Sequence, residues 1–241
     1  MIKKINQICV PRQPLLKFCL LYCLSCSQMA ASDKKQFYPA ADRNKQPILD
    51  ILKKHISTSE NRNCLEIASG SGQHVSFFAP HFPNIEFHPS EECRYLFDSI
   101  DEYIKFSGLT NVKPARFIDA SSQPEKWFDG TPVKKESFDY IYNCNMIHLV
   151  PLSSTEGLFK GANYYLKPNG LLITYGAYAD NGTLTPQSNI DFNHSIKSRN
   201  PSHGIRDISL ELVPLAKQYN IELKHKYDMP ANNKILVWQK V

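Results

Sequence analysis

The 241-residue chain predicts an α/β fold, a doubly wound and mostly parallel sheet with helices on both faces. Three observations carry this prediction. From residue 42 onward, short apolar runs alternate with segments of helical periodicity, the pattern of repeated β–α units. The first apolar run leads at once into a glycine-bearing turn, CLEIASGSGQH (64–74), placed where open sheets bind their ligands, outside the carboxyl ends of the strands. Residues 221–241 hold two strand-like runs joined by a short turn, which puts an antiparallel strand at the C-terminal end of a seven-stranded sheet.

Each element has its own signal. RNKQPILDILKKHI (43–56) reads as a helix with Pro47 near its start and Ile48, Leu49, Ile51, Leu52 and Ile56 on one broad face. NCLEIA (63–68) is a short buried strand. QHVSFFAPHF is a short helix stopped near Pro83, and IEFH (85–88) is a second strand. EECRYLFDSIDEYIKFSGL carries Leu96, Ile100 and Tyr103/Ile104 at helical spacing and ends at Gly108. VKPARFID (112–119) is a third strand and SFDYIYNCNM a fourth. SSTEGLFKGANYYL is a helix in which Ser153 and Glu156 have capping-box spacing. PNGLLITYGAY is a turn and a fifth strand. RDISLELVPLAKQY is helical, but Pro214 must kink or divide it. IELKHKYDM and KILVWQKV close the chain as two strands, with DMPANNK holding the hairpin loop.

Charge and cysteine are distributed unevenly. The formal net charge is +5, yet of the 28 Lys and Arg residues four (Lys3, Lys4, Arg12, Lys17) precede the first acid, Asp33. The remaining 24 face 23 acidic residues, so the body lacks the basic footprint of a nucleic-acid binder. Cys9, Cys19, Cys23 and Cys26 lie in the same N-terminal stretch, and Cys64, Cys93 and Cys144 are dispersed through the body. Dispersed cysteines are no disulfide framework; they favour a reducing compartment and hence a cytoplasmic protein, with the nucleus as a further location. Residues 1–32 read as a disordered N-terminal extension, with Met29 as an internal start, or as a targeting segment for an organelle or the secretory route. Its apolar run, Phe18 to Leu24, is too short to span a bilayer. A single domain is expected over 33–241.

The turn after the first strand reads Glu66-Ile67-Ala68-Ser69-Gly70-Ser71-Gly72. Glycine lets a ligand approach the main chain and tolerates positive φ. A phosphate loop would need a Lys-Ser/Thr pair, and a dinucleotide fingerprint a third glycine; Gln73, His74 and Val75 stand there instead. The spacing acid-x-small-x-Gly-x-Gly is similar to the first motif of class I S-adenosylmethionine methyltransferases, with Ala68 in place of the first glycine. That resemblance implies a Rossmann-like fold and a cofactor held by Glu66, Ala68, Ser69, Gly70, Ser71 and Gly72. It implies Ser90 and Glu91 at the ribose, Asp119 and Ala120 at the adenine, and Asn143 at the end of the fourth strand. The cofactor is then S-adenosyl-L-methionine and its product S-adenosyl-L-homocysteine.

A narrower resemblance runs through AADRNKQPIL, LEIASGSGQH, FHPSE, GLTNVK, LLITYGAYADNG, PQSNIDF, RNPSHGIRD and DMPANNK. From about Ala40 to Val241 the chain resembles the methyltransferase-like protein 26 family. The implied activity is direct methyl transfer to a small or medium acceptor, a small molecule or a peptide; the acceptor itself is not implied. Two other readings stay open: a catalytically silent cofactor-binding scaffold or regulator, and a nicotinamide-dependent oxidoreductase, against which the missing glycine counts.

Methyl transfer asks chiefly for alignment and exclusion of water. His148, just after the fourth strand, is the candidate base or acceptor-positioning group. The stretch from about 176 to 206 has little apolar periodicity and reads as a lid. With its flanks it supplies candidate acceptor-pocket residues Asn145, Tyr175, Tyr178, Asn189, Arg199, Arg206, Asn232 and Asn233, the two arginines for an anionic acceptor. His74, His81, His88 and His194 show no metal-ligand grouping, and no metal is expected.

Overall fold

The computed structural model describes residues 34–241; the N-terminal segment considered above lies outside them. In chain order the main elements are α1 (Pro39–His55), β1 (Arg62–Ile67), α2 (Gln73–Phe78), β2 (Ile85–Glu91), α3 (Phe97–Phe106), β3 (Arg116–Phe117), β4 (Phe138–Cys144), α4 (Leu152–Tyr165), β5 (Leu166–Gly176), β6 (Tyr178–Ala179), α5 (Gln187–Arg199), β7 (Arg206–Asp207), α6 (Val213–Gln218), β8 (Ile221–Met229) and β9 (Asn233–Lys240). Seven strands form one sheet in the order β3-β2-β1-β4-β5-β9-β8. The first five run parallel, and β9 is antiparallel to both neighbours. The predicted fold class holds.

Alternate strand residues feed two separate cores. Cys64, Tyr140, Tyr142, Ile173, Ile235 and Val237 pack under Ile48, Leu49 and Leu52 of α1 and Val75 and Phe78 of α2. Leu65, Ile67, Ile141, Leu172, Leu236 and Trp238 pack under Leu158 and Phe159 of α4 and Ala216 of α6. A sheet buried on both faces explains why its strands read as continuous apolar runs. The strand order reverses at β1, so the carboxyl ends of β1, β2 and β4 meet at one edge beside the glycine turn.

The structure corrects several local expectations. The first helix begins at Pro39, so Pro39 and not Pro47 is its starting proline, and Pro47 lies in its interior. The third strand shrinks to Arg116–Phe117 plus an isolated bridge of Val112 to Phe87, because Pro114 between them has no N–H to give a ladder. Conversely β2 continues through Pro89 to Glu91; Pro89 falls in the gap between that bridge and the start of β3 opposite Ser90. Ser153 does not cap α4. Pro151 precedes the first turn, no side chain caps it, and Glu156 instead accepts a hydrogen bond from the Tyr219 hydroxyl. Pro214 divides its segment as expected: a five-residue π turn, Ile208–Leu212, precedes α6. The segment from about 176 to 206, read above as a lid, contains a 13-residue helix, α5, and its flanks are joined by β6 pairing with β7. Only Asn189 and Ile196 of α5 are buried, so the helix has no apolar stripe to betray it.

Candidate functional site

After Ile67 the backbone turns left-handed at Ala68 (φ 57°), Gly70 (φ 58°) and Gly72 (φ 90°), and α2 begins at Gln73. The two glycines do different jobs. A Cβ at Gly72 would sit 2.8 Å from Ile100 Cα, so this glycine lets α3 pack against the turn. At Gly70 the one described atom within 4 Å of that position is Tyr38 Cε2, at 3.8 Å. The less crowded flank of the loop is therefore at Gly70, where a side chain, not helix backbone, is the neighbour. Ala68 takes a left-handed conformation that costs a non-glycine residue about 1–2 kcal/mol.

Most polar groups named for this loop from the sequence build it. The Ser69 N–H donates to Ser90 O (2.8 Å), the Ser90 N–H to Ser69 Oγ (3.1 Å), and the Ser90 hydroxyl to Glu66 O (2.6 Å). Glu91 accepts from the Gly70 N–H (2.8 Å) on one oxygen and from the Glu92 and Cys93 N–H groups (2.9 and 3.1 Å) on the other. Asn143, fully buried, donates to Ile67 O (2.9 Å). Ser71 donates to Gln73 Oε1 (2.9 Å). Ser90, Glu91 and Asn143 are thus placed as the frame that fixes the loop, not as exposed ligand contacts. Glu66 is buried too, and lines an apolar cavity of about 10 Å³ with Leu52, Val75, Phe78 and Tyr142. Desolvation pushes its carboxyl up to about 8, so it is mostly protonated at neutral pH.

The carboxylate left open near the β2 end is Glu92, which the sequence reading passed over for its neighbour. It is exposed, and partial desolvation together with the charge of Asp119 raises its pKa. Asp119 follows β3 and accepts from the Ser121 N–H (2.8 Å) and hydroxyl (2.6 Å); Ala120 beside it is buried. Two acids therefore stand together at the edge that carries Gly70. The only signal in the sequence was the doubling Glu91-Glu92, which does not say which of the two turns inward.

On the other side of β4 the chain turns left-handed at Asn145 (φ 55°), whose N–H donates to Tyr175 O (2.8 Å). His148 is buried, with Nδ1 3.2 Å from where a Gly176 Cβ would lie and its ring 5.3 Å from that of Phe192. Burial, with Arg206 and His203 nearby, pushes the imidazole down to about 4 and keeps it neutral. Arg206 spends one terminal nitrogen on Val150 O (2.9 Å) and Ser202 O (2.8 Å), clamping the loop over His148. Arg199 lies exposed at the end of α5 and donates to Ser195 of its own helix, away from this grouping. Tyr178, Asn232 and Asn233 line one cleft of about 400 Å³ with Asp180, Thr185 and Lys234. Asn189 donates to Asn232 O (3.2 Å) and Thr185 O (3.1 Å), tying α5 to the β8–β9 hairpin at the rim of that cleft. The Tyr175 hydroxyl joins Asn233 to Asn44 of α1, and its pKa is pushed up to about 12 by burial. Asn44 in turn shares a 2.7 Å hydrogen bond with His74. Among the described residues no three His, Cys, Asp or Glu side chains gather as a metal site.

Fold and site define an open α/β sheet with a ligand edge at its switch point. The chain belongs to the family described as "Protein of unknown function (DUF938)", whose model matches residues 35–240. Solved structures share the fold at low identity. A protein from Galdieria sulphuraria assigned as a sarcosine dimethylglycine methyltransferase matches with a TM-score of 0.65 and 13% identity, over 86% of this chain and 91% of that one. An O-methyltransferase family protein from Burkholderia thailandensis gives 0.68 and 14%, over 83% of this chain and 57% of that one. Geranyl diphosphate C-methyltransferase from Streptomyces coelicolor A3(2), solved with S-adenosyl-L-homocysteine, gives 0.63 and 11%, over 83% and 80%. The chain thus spans little more than half of the Burkholderia protein.

Proposed function

We propose that the protein is an S-adenosylmethionine-dependent methyltransferase acting on a small or medium acceptor. The observation that carries this is the loop after β1, whose less crowded flank at Gly70 shares a sheet edge with the acid pair Glu92 and Asp119. The residues fit such a cofactor. Bare backbone suits a ligand without phosphates, and acids after β2 and β3 suit ribose hydroxyls and an adenine amino group. The similarity in fold to methyltransferases supports the reading, as do the motifs quoted above, which favour the methyltransferase-like protein 26 family as the finer assignment.

In this reading Ala68–Gly72 flank the methionyl part, Glu92 replaces Ser90 and Glu91 at the ribose, and Asp119 and Ala120 serve the adenine. S-adenosylmethionine supplies an already activated methyl group when bound. The protein's task is to align an acceptor and exclude water. The cleft beside Tyr178, Asn232 and Asn233 has the size of a small-molecule site, and Asn145 and His148 follow β4, the strand between β1 and β5. A neutral, buried His148 takes no charge near neutral pH; it accepts a hydrogen bond and orients the acceptor. The described residues contain no helix long and apolar enough to cross a membrane. The free cysteines Cys64, Cys93 and Cys144 fit a reducing compartment such as the cytoplasm.

The test is calorimetric titration of S-adenosylmethionine and S-adenosylhomocysteine into the full chain. Micromolar binding to the wild type, lost in a folded Gly70→Val, Asp119→Ala variant, supports the reading. A folded wild-type chain that binds neither overturns it.

A further inference from the structure

Residues 34–38 run ahead of α1 as an extended strap, and each side of it is fastened. The Lys34 ammonium pairs with Asp98 (2.9 Å), and Lys35 lies over the Phe106 ring at 3.5 Å. The Gln36 N–H donates to Ser99 Oγ (2.8 Å), and that hydroxyl donates to the carbonyl of Ser71 in the glycine loop (2.8 Å). Gln73, at the first position of α2, reads the strap's backbone twice: its Oε1 accepts from the Tyr38 N–H (2.6 Å), and its Nε2 donates to Tyr38 O (3.4 Å). The Tyr38 hydroxyl donates to Gln36 Oε1 (3.1 Å), which sets the swing of the ring.

All of this leaves one half-buried aromatic ring beside Gly70, the loop glycine that the α3 backbone does not cover. A strap that only filled a hole would bring its ring onto apolar side chains. Here the ring edge comes to 3.8 Å from where a Gly70 Cβ would lie, and the polar network that holds it is shared with the loop itself. We propose that Tyr38 is a cofactor-positioning residue: its ring, seated beside Gly70, continues the surface of the glycine loop on which the cofactor lies. Gln73 is the residue that positions Tyr38. The proposal rests on the functional reading above and adds to it a surface from outside the β1–α2 turn.

The full chain is titrated with S-adenosylhomocysteine as wild type, Tyr38→Phe, Tyr38→Ala and Gln73→Ala, with each melting temperature measured free of ligand. Tyr38→Ala binds about tenfold or more weakly, Tyr38→Phe stays within about threefold of wild type, and Gln73→Ala falls between them. Amide exchange gives a readout independent of turnover: the Gln36 and Tyr38 N–H groups exchange more slowly once S-adenosylhomocysteine is bound. Wild-type affinity in a folded Tyr38→Ala, or amides of 34–38 unmoved by saturating ligand, overturns the proposal while leaving the functional reading intact. A wild-type chain that binds neither S-adenosylhomocysteine nor S-adenosylmethionine overturns both, and that result is visible before any variant is made.

Discussion

Ala68, Gly70 and Gly72 all carry positive φ, yet their substitutions separate by what lies beside them. Ala68→Gly relieves a left-handed alanine at the cost of a floppier unfolded chain, and we predict a gain of up to about 1 kcal/mol, read as a raised urea midpoint. Gly72→Ala drives a Cβ into the α3 backbone at Ile100 and is expected to cost roughly 1–3 kcal/mol. His148 makes a kinetic prediction. Since its imidazole titrates near 4, His148→Gln lowers kcat/KM, but the wild-type rate shows no limb of its making between pH 6 and 8. A limb near 6.5 that vanishes in the variant would show a solvated, titrating imidazole instead. At this scale the sequence located the glycine turn that follows β1. It could not tell Glu91 from Glu92, because adjacent residues differ only in which one the loop's N–H groups capture.

Elements were legible where apolar periodicity survives. The strands of a sheet buried on both faces, and helices such as α1 with Ile48, Leu49 and Leu52, announce themselves. Helix α5 does not, since its sequence is polar nearly all round and it is held by its ends. Asn189 is one such hold, donating to Thr185 O and across to the β8–β9 hairpin at Asn232 O. Asn189→Ala removes both bonds, and we predict about 1 kcal/mol of lost stability together with a raised acceptor KM, because the rim of the cleft loosens. An unchanged KM in the folded variant would separate the hairpin contact from acceptor binding. Arg199 and Arg206 show the same gap between composition and placement. Both suit an anion on paper; one donates to the Ser195 hydroxyl of its own helix, and the other clamps two carbonyls.

For the whole molecule, buried titratable groups set a stability profile with a maximum. Glu66 takes up a proton on folding, since its pKa rises from 4.5 to about 8; its contribution is present in full below 4.5 and is lost as pH climbs to 8. His74 and His148 work in the opposite sense. Their pKa values fall from 6.5 to about 4, so their contribution is present above 6.5 and is lost as pH drops to 4. Stability therefore peaks near pH 6.5. Glu66→Gln should flatten the decline between pH 6.5 and 8, checked by melting temperature across that range; an unaltered decline would place the titration elsewhere. The fold class, the two-faced sheet and the loop after the first strand were determined by the sequence alone, because periodicity and glycine spacing are local properties of the chain. Which carboxylate stays open, which asparagines meet across the cleft, and that Tyr38 comes to lie on Gly70 were decided only by the tertiary structure. Those contacts join residues 21 to 43 positions apart, a distance over which periodicity carries no information.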